Sequence, residues 1–176
     1  MKNTILISFL CLSVLGFGQV AIGKTEVSNN SVSLEFGNQN RGIVLPWVTD
    51  TGGVAGVVNG TMVFDHNDKK VKVKYASGWK DLSGISGTTV DPVTNVDGFI
   101  IQNTADENTN AKVAIGTLTS TPGILVLEDS DKAMILPRVA DPHQNIMNPA
   151  PGMMVYDTTK KLLAVFNGTV WSYWRP

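Results

Sequence analysis

The chain has 176 residues, with 14 lysines and arginines against 15 aspartates and glutamates and a formal net charge of −1. So near a balance leaves no basic footprint for nucleic acid. A single cysteine excludes a disulfide framework, and a composition rich in Gly, Thr, Val and Asn favours short strands and turns over long helices.

The first eighteen residues read as an export signal. Met1-Lys2 supplies a positive end, Ile5 to Phe17 is apolar and short for a bilayer span, and Gly16-Phe17-Gly18 offers small residues for cleavage. A mature chain would then start at Gln19. Cys11 would leave with the signal, and Leu10 before it is too large for a lipid-attachment site. The competing reading of this stretch is a buried core helix. No second apolar run of membrane-spanning length follows. The expected location is secreted or at the cell surface.

Beyond the signal, three blocks of wording occur twice in the same order. "VAIG" stands at Val20–Gly23 and at Val113–Gly116, 93 residues on. "IVLPWVTD" at Ile43–Asp50 returns as "MILPRVAD" at Met134–Asp141, 91 residues on. Gly60 to Trp79 returns as Gly152 to Trp171, 92 residues on. Ordered blocks at near-constant spacing point to a duplicated structural unit. The division expected is a signal at 1–18, a first β unit at 19–82, a linker at 83–98 and a second β unit at 99–176.

Within the units the elements follow from local pattern. "VSLEF" at Val32–Phe36 alternates as a half-buried strand does. "IVL" and "MIL" are short apolar strands stopped by Pro46 and Pro137, since proline lacks the ladder donor. "TMVFD" and "MMVYD" start hairpins whose turns are "HNDKK" and "TTKK". In "VKVKY" the pattern predicts Val71, Val73 and Tyr75 inward and Lys72 and Lys74 outward. "LLAVF" at Leu162–Phe166 is apolar enough for both faces to be covered. Ser83 to Gly98 carries no lysine or arginine and reads as the linker. "FIIQN" at Phe99–Asn103 is expected as a strand and "TADENTNAK" after it as a turn. The fold class is therefore all-β or mostly β, with two related hairpin units. A lone unit of this size buries little surface, so the units must cover each other or be covered by copies of the chain.

The order "VAIG", strand, "LPR" or "LPW", then "NPAPGMMVYDTTKKLLAVFNGTVW" resembles repeat segments of secreted surface proteins of Bacteroidetes-type bacteria. It is also similar to phage tail-fibre-like proteins and to stalks of trimeric surface fibres. The second unit fits that pattern better than the first: Trp47 replaces an arginine, "GVVNGTMVF" lacks a proline, and "YASGW" lacks an Asn-Gly turn. The resemblance implies a β-rich module, homotrimeric in the fibre cases, and gives no catalytic residue. The leading reading is an exported, non-enzymatic structural or adhesive module, an enzyme being disfavoured because acid–base and nucleophilic groups do not cluster in sequence.

Candidate sites are few. His66 and His143 stand in non-equivalent loops, which disfavours a shared metal site. No G-x-S-x-G element surrounds a serine. "DHND" at Asp65–Asp68 and "EDSD" at Glu128–Asp131 offer oxygens for calcium, but Asp-rich turns explain them better. "NNS", "NGT" and "NGT" at Asn29, Asn59 and Asn167 mark turns more readily than glycosylation. Lys69, Lys70, Lys72, Lys74 and Lys80 form a basic strand face of the kind that protects an edge. No cofactor is called for. The expected assembly or binding surface comprises Trp79, Met154, Tyr156, Val165, Phe166, Trp171, Tyr173 and Trp174, within an inter-copy contact over Met153 to Phe166. The expected partners are copies of the chain, three being favoured, and an outer-membrane or surface protein. A carbohydrate-binding module, with sugars stacked on the exposed aromatics, is the alternative function.

Overall fold

The computed structural model describes residues 18–103 and 111–175. The export signal and most of the turn expected at 104–112 lie outside the described residues. The protein is mostly β, arranged as several small sheets.

Two four-stranded arrays dominate. In the first, β4 (Trp47–Val48) runs parallel to β5 (Met62–Asp65), which continues as an antiparallel meander through β6 (Lys70–Tyr75) and β7 (Gly78–Asp81). In the second, β11 (Arg138–Val139) runs parallel to β12 (Met153–Asp157), followed by β13 (Leu162–Phe166) and β14 (Trp171–Trp174). Their registers coincide. Met62 faces Val73 as Met154 faces Val165, and Lys74 faces Trp79 as Phe166 faces Trp171. The first hairpin turn of each ends on a lysine with φ 58°, Lys69 and Lys161. Each is led by a buried aspartate, Asp65 or Asp157, which accepts the N–H of the residue two further on, Asn67 or Thr159. That side-chain turn holds the backbone where the lysine is pushed into a conformation it dislikes.

The arrays bury one shared core. Phe64, Val71 and Val73 of the first pack with Met154 and Val165 of the second, together with Leu45 and Leu82. The opposite face of β13 is covered as well. Ala164 clusters with Val155, Val139 and Ile146. "LLAVF" is thus enclosed on both sides, as its composition demands.

Smaller sheets link the two halves. β1 (Val20–Ile22), β2 (Val32–Phe36) and β10 (Ala133–Ile135) form a parallel sheet with β2 central. β3 (Ile43–Val44) adds antiparallel to β12. β8 (Val113–Ile115) and β9 (Leu125–Leu127) make a two-stranded parallel pair. Strands of the first half therefore pair with strands of the second at two places. Ser83 to Gly98 also lies against the second array. Thr88 N–H donates to Asn167 C=O at 3.2 Å, and a Cβ on Gly87 would fall 1.7 Å from that oxygen. Only glycine allows so close a backbone approach.

Three local expectations are corrected. Phe99–Asn103 is not a strand: α1 (Gly98–Asn103) is a short helix. Asp97 takes the N–H of Phe99 on its carboxylate, and the Phe99 ring stacks on His66 at 3.6 Å, which turns the run away from any ladder. "VSLEF" is not half-buried, because Val32 to Glu35 are all buried in a central strand. Tyr75 points outward and is half exposed, since the last pair of the hairpin sets it opposite Gly78, beyond the shared core. The remaining helix, α2 (Pro142–Asn145), is a single turn that follows Asp141 in the left-handed conformation. No helix among the described residues is long and apolar enough to cross a membrane.

Candidate assembly surface

The residues singled out from sequence divide into three groups. Met154 and Val165 are buried by the chain itself, Val165 to 0% exposure. Their cover is Phe64, Val71 and Val73 of the first array, so neither is available for an inter-copy contact as expected. The physical reason is the shared core: the first meander supplies the apolar face that a neighbouring copy was thought to supply.

The second group is half-buried and engaged. Trp174 turns toward the shared core and donates its Nε1–H to Leu82 C=O at 3.1 Å, with Lys80 5.4 Å above its ring. Trp171 and Tyr173 lie on the other face with Ala164 and Val155. Trp171 packs on Phe166 at 5.3 Å, and the Tyr173 ring carries Lys160 at 4.4 Å. Tyr173 Oη lies 3.2 Å from His143 Nδ1. Trp79 and Tyr156, the third group, are half-buried residues on strands β7 and β12. No flat shelf of aromatic rings results, because β14 sends its rings to opposite faces.

Charged groups are paired internally. Burial alone would raise the pKa of Asp65, but Lys72 at 2.9 Å and two backbone N–H groups hold it below its ordinary value. Asp157 is held down against burial by the N–H groups of Lys160 and Thr159 and by the Lys160 ammonium. Glu128 accepts from the N–H and hydroxyl of Thr119, at 3.1 and 2.6 Å. Both acidic loops therefore spend oxygens on turns and lysines, while one oxygen in each, Asp68 Oδ1 and Asp129 Oδ2, is buried without a hydrogen-bond partner among the described residues. Among the described residues, no three His, Asp or Glu side chains converge in a way that could hold a metal ion.

A polar cleft of about 240 Å³ lies between Lys24, Ser28, Glu35 and Arg138. Its buried carboxylate is already claimed. Lys24 Nζ sits 2.6 Å from Glu35 Oε1, and Ser28 donates both its N–H and its hydroxyl to Glu35. The Lys24 and Ser28 hydrogen bonds bring the Glu35 pKa down to about 2. Nothing in "VSLEF" announced this pair, because its partners come from a loop without regular pattern.

Sequence reasoning also missed Asn167. It is fully buried, its Oδ1 accepts from Thr169 and Val170 N–H at 2.9 Å each, and its Nδ2 donates to Ile85 C=O at 2.8 Å. The Asn-Gly-Thr wording gave the turn but not the contact 82 residues away. Missed too were the apolar residues left outside: Val113, Leu118, Ile124 and Leu125 are all exposed, around the two-stranded pair β8–β9.

Comparison with known proteins bears on this last region. No curated protein and no solved structure matched the chain. Residues 114–175 match a family described as the phage tail like trimerisation region. The matched segment runs from within β8 to the residue after β14, and it supports the reading of this part of the chain as a phage-tail-like, trimeric fibre segment.

Proposed function

We propose that the protein is an exported, non-enzymatic structural module that assembles as a homotrimer in a surface fibre, with an adhesive role. The observation that carries the proposal is the match of residues 114–175 to a trimerisation region. Two further features support it. Val113, Leu118, Ile124 and Leu125 are exposed around β8–β9, within and beside the matched segment, where a neighbouring copy would cover them. The coincident registers of the two arrays support a duplicated unit, a common route to elongated proteins. The signal-like start at Met1–Gly18 supports export. Light scattering on the purified full chain tests the assembly. Three copies per particle are expected, and a monomer at tens of micromolar would overturn the proposal.

A further inference from the structure

The chain contains one parallel ladder twice, and only one of the two is finished. β1 pairs with β2 with Val20 opposite Leu34, and β8 pairs with β9 with Val113 opposite Leu125. Both ladders close alike: Gly37 N–H donates to Ile22 C=O at 2.8 Å, and Glu128 N–H to Ile115 C=O at 2.9 Å. Alternation along a strand then decides which backbone groups face which side. On β9, Ile124 C=O and Glu128 N–H are spent on β8. Leu125 and Leu127 accordingly turn their N–H and C=O groups to the opposite edge.

The matching positions of β2 are Leu34 and Phe36. There the outer edge is filled by β10, with Met134 opposite Leu34, and Leu34 is only 2% exposed. On β9 no strand among the described residues takes that edge, and Leu125 is 47% exposed. Equivalent leucines on equivalent strands differ because one ladder has its third strand and the other does not.

We propose that the outer edge of β9 receives β3 from a second copy of this chain, with Ile43 opposite Leu125 and Val44 opposite Val126. The inference rests on the trimeric reading above and names its contact. The chain itself supplies the argument for this occupant. The strand that finishes the first ladder belongs to "MILPRVAD", and the other segment with that wording is "IVLPWVTD", which contains β3. Leu-Pro occurs at these two places alone, and the proline ends the strand where a parallel partner of two or three residues must stop. Within its own chain β3 pairs with β12 and leaves Val44 nearly half exposed. The contact joins two different edges, so each copy donates β3 and accepts on β9, and in a trimer three such contacts close a ring. Insertion would flank Leu125 and the neighbouring Ile124.

Cross-linking tests the register. In the full chain with Cys11→Ser, the pair Ile43→Cys and Leu125→Cys is oxidised and run on a non-reducing denaturing gel. Neighbouring strands set Cα atoms about 4.8 Å apart, within disulfide reach. Covalent species reaching three copies and no more are expected, lost on reduction and missing from either single-cysteine variant. Leu127→Pro provides a second measurement, because it deletes an N–H that faces the open edge and leaves the β8 ladder its donors. Light scattering should show its mass fall to one third, with an unchanged circular dichroism spectrum. A trimeric wild type that gives no such cross-link, with Leu127→Pro still trimeric, overturns the strand insertion and leaves the trimer standing. A monomeric wild type overturns the trimeric reading itself.

Discussion

Asn167 joins the turn between β13 and β14 to the stretch that follows β7, and two substitutions can separate its duties. Its Oδ1 holds the turn through Thr169 and Val170, while its Nδ2 reaches Ile85 C=O. Asn167→Ala removes all three hydrogen bonds from a fully buried site. At about 1 kcal/mol each, the loss is about 3 kcal/mol, with a further cost if Ile85 C=O stays dry. Asn167→Asp keeps both acceptors for the turn but sets a carboxylate against a carbonyl oxygen. That costs about 1–3 kcal/mol at neutral pH. The carboxyl would titrate above its unfolded value, so the deficit is full above the raised pKa and fades as acid supplies the missing donor. Urea unfolding at fixed protein concentration, at pH 7 and near pH 4, reads both effects against wild type at the same pH. The Ala deficit should stay flat and the Asp deficit should shrink. An Asp variant as stable as wild type at pH 7, or equally impaired at both, would refute the idea that the Ile85 contact fastens this stretch.

Two other outcomes are expected. The Glu35 carboxyl, at about 2 when folded against an ordinary 4.5, contributes stability that is present above pH 4.5 and lost as pH falls toward 2; thermal melts across that range should show the loss, and Lys24→Met should make it shallower. Val165→Asp should abolish cooperative unfolding rather than separate copies, because the charge would sit among Phe64, Val71 and Met154 at a cost above about 3 kcal/mol; a folded monomer by circular dichroism and size-exclusion chromatography would place Val165 between copies instead.

Much of the architecture could be read from period and punctuation. Val71 and Val73 were placed inward by strict alternation, and Pro46 and Pro137 do end their strands, because these signals depend on neighbours in sequence. Where the reading failed, the deciding partner was remote or the pattern was short. Glu35 looked like a solvent-facing residue, yet Lys24 and Ser28 neutralise it inside a central strand. "FIIQN" has no period long enough to tell a strand from a turn of helix, and Asp97 decides it. Met154 and Val165 were rightly read as needing cover, but nothing local could say that Phe64 of the same chain provides it. The unpaired edge of β9 is likewise invisible until β10 is seen on β2.

The insertion of β10 beside β2 also has a consequence for how the chain is made. Leu34 and its partner Met134 are separated by 100 positions. At about 5–20 residues per second, a ribosome needs roughly 5–20 seconds to supply the second after the first. Through that interval Leu34 cannot be shielded by its native neighbour, and Phe64 and Val71 wait almost as long for Met154 and Val165. The nascent N-terminal half can form its local pairs, β1 with β2 and β5 through β7, but its core stays open until the second half is made. Such long-range closure is slow even for a complete polypeptide. A chain held loose in this way is one that a holdase can grip, or a translocon can thread, before it closes.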